Sequence, residues 1–394
     1  LLSLQNDLID MKQRKEHTAT TLWDLSAAFD TLDHSIFLKK LKVYGFGPNS
    51  VEWFKSYLSD RTQHVEVNGQ ASSTHRVMYG SPQGAVLSPL IFTVFVADLP
   101  LWTEHSSIFS YADDTTTNVC HSDLQEVKRM TEDDARRVLA FMNTNFLVAN
   151  PNKTKVMLFR WSENARDPSN QPFSVQIGNS KIEESTSEKL LGIHLSNNLR
   201  WDRHINDVKS SLNQRLVILR QMSYCIPRES LRELTFGLML SKVRYGIPIY
   251  GTLRLNDSDP LNKGMQSLQV SINDAMRIMH GSSRADRVPI DRLRDITKIP
   301  SINQITAEAT LLEAWKIRTL NESTDLIRPV SSNGMTTRGQ AMGNLEVPMG
   351  GHEKKSSFAY QASKLWNAAP IELRTNVGKS TAKKIIKTFA ASLP

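Results

Sequence analysis

Cysteine is nearly missing from this chain: Cys120 and Cys225 are the two among 394 residues, and they stand far apart. That excludes a disulfide framework and a Cys/His zinc module, and it implies a reducing, intracellular setting. Missing too is any apolar run near the roughly 20 residues of a membrane-spanning helix, so no membrane partner is expected. The N-terminus lacks the charged and then apolar regions of a secretory signal. There is no internal repeat and no low-complexity tract. The first residue is Leu1 rather than Met, from which a truncated translation is expected. The length suggests two or three structural units.

Positive charge is present in excess. Lys and Arg number 48 against 40 Asp and Glu, for a net charge of +8 and a pI near 9.3. The excess is local: residues 200–250 hold nine basic against four acidic side chains, and residues 353–394 hold eight against two. Cationic faces bind duplex backbones through phosphates, without regard to sequence. Arg215, Arg220, Lys383, Lys384 and Lys387 are the candidate nucleic-acid contacts. Helical faces that are merely solvated account for the same charges.

The acidic residues say more. Tyr111-Ala112-Asp113-Asp114 sets two adjacent carboxylates in a neutral run, between Ile108-Phe109-Ser110 and Thr115-Thr116-Thr117. A hairpin tip could hold both in one cleft, and hard cations such as Mg²⁺ bind through carboxylates plus substrate phosphates. A solvated turn explains the pair as well. Further upstream, Thr20-Thr21-Leu22-Trp23 reads as a short buried strand that delivers Asp24 at its end. Asp24 could then meet Asp113 and Asp114 across neighbouring strands, three carboxylates fit to hold a pair of metal ions for phosphoryl transfer. Its other reading is a helix N-cap.

Along the chain, a helix with Leu1, Leu4, Leu8 and Met11 at helical spacing is predicted up to about Arg14. Helical pattern runs from His34 to Leu58, broken at Gly45-Phe46-Gly47-Pro48, and Val65 to Gly69 is a strand entering a hairpin turn. Val86 to Leu99 predicts a buried helix. Asp123 to Phe146 predicts an amphipathic one capped by Ser122. Strands are expected at Val156–Phe159, Ser174–Ile177 and Leu190–Leu195, with a polar loop over Ser162–Pro172. Beyond Trp201 the pattern is helical, with breaks at Pro227, Gly251–Pro260 and Gly281–Ser283. A linker over Ser331–Gly351 precedes a Lys-rich helical tail.

These motifs resemble the reverse transcriptases of non-LTR (LINE-type) retrotransposons. Asp24-Leu25-Ser26-Ala27-Ala28-Phe29-Asp30 is similar to that family's first palm motif, and the segment Gly80-Ser81-Pro82-Gln83-Gly84 through Leu90 to its second. Tyr111-Ala112-Asp113-Asp114 is similar to the third and Asn150-Pro151-Asn152-Lys153-Thr154-Lys155 to the next. Leu191-Gly192-Ile193, Trp201 and His204-Ile205 resemble the primer-grip region, and Trp53-Phe54, Tyr57-Leu58 and Arg61 the segment between the first two motifs. The resemblance implies an α+β right-hand polymerase: a palm with partial fingers over 1–195, a helical thumb over 196–290, and a helical C-terminal region over 291–394.

It further implies an RNA-directed DNA polymerase that joins deoxynucleoside triphosphates to a primer 3′-hydroxyl, using two Mg²⁺ ions with Mn²⁺ as the alternative. Asp24, Leu25, Asp113 and Asp114 would serve the metals, with Lys153 neutralising or protonating pyrophosphate, although Lys155 competes for that role. Leu25, Phe29, Gln83 and Gly84 would contact the nucleotide. Phe29 would be the steric gate against a 2′-hydroxyl, or simply a core aromatic. Gly80 and Gly84 would let main chain approach a ligand, although Ser81-Pro82-Gln83-Gly84 is also an ordinary turn. RNA template and DNA primer or target are the expected partners, nucleus and cytoplasm the expected location. Most of the fingers and any endonuclease are expected to lie outside this sequence. A nucleic-acid-binding remnant and a structural scaffold remain open, and so does an RNA-templated RNA polymerase, which Phe29 disfavours.

Overall fold

The computed structural model describes residues 1–150, 153–161, 172–256, 261–320, 325–330, 342–375 and 377–393. Two compact units emerge, Met11–Glu188 and Leu1–Asp10 with Lys189–Pro394. The division falls inside the first helix and inside the strand Ser187–Leu190.

In chain order, α1 (Leu2–Gln13), β1 (His17–Trp23), α2 (His34–Val43) and α3 (Pro48–Leu58) come first. Four two-residue strands follow: β2 (Thr62–Gln63), β3 (Glu66–Val67), β4 (Gln70–Ala71) and β5 (His75–Arg76). Then come α4 (Ser88–Phe95), β6 (Ser106–Tyr111), β7 (Asp114–His121), α5 (Leu124–Thr144), β8 (Lys155–Phe159), β9 (Ser174–Ile177) and β10 (Ser180–Glu183).

The sheet of the Met11–Glu188 unit is antiparallel, in the order β6-β7-β1-β8. Threonines dominate its two central strands, since β-branched side chains suit a pleated surface. Their hydroxyls and amides pair inside the sheet: Thr20 Oγ1 donates to Asn118 Oδ1 at 2.8 Å, and Trp23 Nε1 to Thr117 Oγ1 at 3.0 Å. Against the sheet, α5 buries Val127, Ala135, Val138, Phe141 and Met142 in one core with Ala19, Trp23 and Leu158. Its cap is Asp123 and not Ser122, because the Asp123 carboxylate accepts the Gln125 amide at 2.8 Å. Buried Asp134 on the same helix accepts the amides of Glu104 and His105, each at 3.0 Å, and so fixes the entry to β6.

The helix expected over Val86–Leu99 is shorter, Ser88–Phe95, with a separate turn of 3₁₀ helix at Leu99–Leu101. Apolar composition overran the buried face: Ile91, Phe92 and Phe95 are inside, whereas Val86 is 93% exposed. Asn68-Gly69, both at positive φ, close the β3–β4 hairpin where that turn was expected.

In the other unit, β11 (Ser187–Leu190) and β12 (Ile193–Ser196) replace the single strand expected over Leu190–Leu195. Leu191 and Gly192 both take positive φ and turn the chain between them. Helices follow: α6 (Asp202–Met222), α7 (Arg228–Thr235), α8 (Ser241–Arg244), α9 (Ile247–Tyr250), α10 (Lys263–His280), α11 (Ile290–Thr297) and α12 (Ile302–Leu320), then α13 (His352–Ser356), α14 (Phe358–Ala368) and α15 (Lys379–Ala391). One core gathers residues from Ile205 to Ile305, and a second residues from Ala307 to Ala390. Of the predicted polar loop and linker, residues 162–171 and 331–341 lie outside the described residues. Among the described residues no helix is long and apolar enough to cross a membrane.

Candidate functional site

The antiparallel register of β1 and β7 ends at Trp23 opposite Thr115. Carried one residue further, it sets Asp24 opposite Asp114. Asp113 sits in the two-residue turn between the paired Tyr111 and Asp114, and its neighbour Ala112 holds a φ of 54°, a strained value for a residue with a Cβ. Partial burial first, then the charges of Asp113 and of Asp24, hold the Asp114 carboxyl above its ordinary pKa.

After β1 the main chain stays paired. Leu25 bridges Ala149, the Ser26 amide donates to Val148 O at 2.9 Å, and the Asn150 amide donates to Asp24 O at 2.8 Å. This pairing brings Lys153 Nζ to 3.7 Å from Asp24 Oδ2. That oxygen is itself buried and accepts no hydrogen bond. Lys155 lies in β8 opposite Leu22. Pro151 and Asn152 of the same motif fall outside the described residues.

A strap joins the segment after Asp24 to the one before Gln83. The Ser81 amide donates to Phe29 O and the Gly80 amide to Leu32 O, each at 2.8 Å, and His34 Nε2 meets Gly80 O at 2.7 Å. Gly80, at φ +83°, leaves no space for a side chain: a Cβ there would lie 2.9 Å from Asp30 Cα and O. Phe29 is half-buried, its ring 5.0 Å from that of Phe92. Gln83 Nε2 donates to Asp30 Oδ1 at 2.7 Å. At Gly84, φ +75°, an added Cβ would meet nothing within 4 Å, so only the sign of its backbone angle requires glycine. A cavity of about 530 Å³ opens here, lined by Asp30, Arg61, Tyr79, Gly80 and Gln83 among others. Asp30 and Arg61 lie within the sequence motifs, but motif spacing assigns them no role; the partner of Asp30, Gln83, is 53 residues away and leaves no trace in local sequence.

The basic candidates separate into two places. Arg215 on α6 is half-buried and donates to Ser211 Oγ at 2.8 Å, and Arg220 is exposed further along that helix. Lys383, Lys384 and Lys387 are exposed on α15, where Lys383 and Lys387 line a cavity of about 610 Å³ with Arg244, Glu308, Glu313 and Lys316. Part of the C-terminal excess is structural rather than free. Buried Lys354 pairs with Asp10, and Arg374 donates to the carbonyls of Asn367 at 2.6 Å and Ala369 at 2.9 Å.

Among the described residues, one trio of metal-type ligands, Glu104, His105 and Asp133, has ligand atoms all within 4.8 Å of one another. Arg137 already engages two of them, Glu104 and Asp133. Asp24, Asp113 and Asp114 share a strand end without forming so tight a group.

Residues 3–195 match the family described as reverse transcriptase (RNA-dependent DNA polymerase). The chain is 27% identical over 267 residues to the RNA-directed DNA polymerase from mobile element jockey of Drosophila melanogaster, a match covering 62% of this chain and 27% of that protein. It is 27% identical over 276 residues to the probable RNA-directed DNA polymerase from transposon BS of the same fly, covering 67% of this chain and 29% of that protein. The chain thus spans under a third of these relatives' length. A solved apo telomerase from Candida tropicalis aligns with 77% of this chain and 49% of its own, at 11% identity and a TM-score of 0.38. The relatives bear out the resemblance read from the motifs.

Proposed function

Residues 3–195 belong to the reverse transcriptase family, of the non-LTR retrotransposon kind, and from that premise we propose that this chain carries the polymerising centre of an RNA-directed DNA polymerase. The observation that supports it is the meeting of Asp24 with the Asp113-Asp114 hairpin tip, with Lys153 at 3.7 Å from Asp24. Reverse transcriptases use divalent metal ions, and the residues here fit one. Asp24 Oδ2 is a buried oxygen without a hydrogen-bond donor, and hard cations take oxygen ligands of this type. Asp24, Asp113 and Asp114, with the chain at Leu25, would hold the metal. Bound there as a pair, Mg²⁺ ions, or Mn²⁺ in their place, would supply activation of the primer 3′-hydroxyl and stabilisation of the leaving pyrophosphate.

The chain's own groups do the rest. Phe29, fixed by the Ser81–Phe29 hydrogen bond and by Phe92, closes the space a 2′-hydroxyl would need. Gln83, aimed by Asp30, contacts the incoming nucleotide or the template strand where Gly84 leaves the backbone open. Lys153 stands 3.7 Å from Asp24, placed to meet pyrophosphate. RNA template, DNA primer and deoxynucleoside triphosphates are the partners. The basic residues Arg215, Arg220, Lys383, Lys384 and Lys387 would hold the duplex backbone. Nucleus and cytoplasm are the proposed location, and the palm, thumb and C-terminal region the proposed division of labour.

The test is primer extension on an RNA template with Mg²⁺, Asp113→Asn against the wild type. The amide keeps the shape and loses the charge, so nearly all incorporation should vanish while template-primer binding stays within a few-fold. Equal incorporation by both proteins would refute the metal assignment.

A further inference from the structure

The outer face of α3 carries an ordered stack. Trp53 and Tyr57 stand four residues apart on this helix, the spacing of side chains one above another, and Arg61 follows just past the helix end at Leu58. The Trp53 and Tyr57 rings lie 5.5 Å apart and 7° from parallel, and the Arg61 guanidinium carbon sits 4.6 Å from the centre of the Tyr57 ring. Arg61 Nε donates to Tyr57 O at 2.7 Å, which fixes the guanidinium plane, and among the described residues no carboxylate pairs with it. The edge of Phe54 holds the indole from another side, its ring centre 5.1 Å away at 84°.

Tyr57 packs against the core from its half-buried side, but the indole end of the stack does not. Val51 and Leu58 are the buried residues of the helix, whereas Trp53 is 52% exposed. Its exposed neighbours Glu52, Lys55 and Ser56 are polar, so it does not belong to a broad apolar patch of the kind that docks another protein. The ladder runs from an exposed indole to an unpaired cation, and the cation lines the cavity shared by Asp30 and Gln83.

We propose that Trp53, Tyr57 and Arg61 form a platform for an unpaired RNA strand, with a base stacked on the indole and a phosphate taken by Arg61, leading the strand to the cavity beside Gln83. Aromatic and guanidinium planes accept every base, because each has a π-face, and the cation supplies the complement to phosphate. That the strand is a template rests on the function proposed above.

The experiment measures binding of a labelled oligouridine and of a blunt RNA/DNA hybrid to the full chain, with Trp53→Ala, Trp53→Phe and Arg61→Gln. Trp53→Ala should weaken the single strand about tenfold and leave the blunt hybrid nearly unchanged, and Trp53→Phe should recover much of the loss. Arg61→Gln should flatten the salt dependence of single-strand binding by about 0.7 in slope for one lost phosphate contact. Unchanged single-strand affinity in Trp53→Ala overturns the proposal and gives the ladder to a protein partner. Equal loss on both substrates, with a lowered melting temperature, overturns it as well and makes the indole a prop of the fold. Single-strand binding that depends on Trp53 in a chain that extends no primer upholds the platform while the polymerase reading fails.

Discussion

Gly80 and Gly84 stand four residues apart at φ of +83° and +75°, and replacing each with alanine separates two demands on glycine. A Cβ at positive φ costs about 1–2 kcal/mol. At Gly84 that is the whole effect, since nothing lies within 4 Å of the added atom. At Gly80 the methyl would meet Asp30 Cα and O at 2.9 Å and Phe29 O at 3.0 Å, all main-chain atoms that cannot rotate away. The strap must part instead, at the expense of the Ser81–Phe29 and Gly80–Leu32 hydrogen bonds. Each such bond contributes about 0.5–1.5 kcal/mol net, which brings Gly80→Ala to about 2–5 kcal/mol against about 1–2 for Gly84→Ala. Urea denaturation followed by tryptophan fluorescence reads the difference. Parting the strap also moves Phe29, so Gly80→Ala should lose discrimination between deoxyribo- and ribonucleotides along with stability. Equal stabilities for the two variants would show that the segments around Phe29 and Gly80 do not press together, and the reasoning would fail.

Phe29→Val should raise ribonucleotide use relative to deoxyribonucleotide, because it removes a clash and adds no contact; an unchanged ratio of kcat/KM for the two sugars would leave Phe29 as core packing beside Phe92. His204, 1% exposed, is held down to a pKa of about 4, by burial first and then by the charges of Lys242 and His194. Its folded pKa is below the unfolded value of about 6.5, so its contribution is present above that pH and is lost as pH falls toward 4. Urea titrations of wild type against His204→Gln should therefore show the wild-type advantage shrinking by up to about 3 kcal/mol across that window, and a pH-independent difference would mean that His204 titrates normally.

The geometry of the proposed site was legible where local rules decide it. β-branched and apolar residues up to Trp23 force a strand, so Asp24 had to emerge at its end, and an Asp-Asp pair between two short β-rich runs had to sit near a hairpin tip. Pairing of those two strands then makes the carboxylates neighbours. Where local rules tie, the reading slipped. Ser122 and Asp123 are equally good caps by type, and only the hydrogen bond to Gln125 chooses between them. Composition counts charges but not their partners, so Lys354 and Arg374 entered the basic total although an ion pair with Asp10 and hydrogen bonds to main-chain carbonyls had already engaged them.

The Lys153–Asp24 contact marks the boundary between these two kinds of information. Sequence left Lys153 and Lys155 as rivals, since both flank the start of the same strand and both carry one positive charge. The choice depends on Leu25, Ser26 and Asp24 continuing to pair with residues 148–150 after β1 ends, which no spacing rule requires. Once that pairing exists, Lys155 is carried into β8 opposite Leu22 while Lys153 stays in the turn beside the carboxylate. A lysine in a turn can swing between a carboxylate and an arriving phosphate with little change in the sheet, whereas one fixed in the strand register cannot. The main-chain bridge at Leu25 therefore sets Lys153, and not Lys155, beside Asp24.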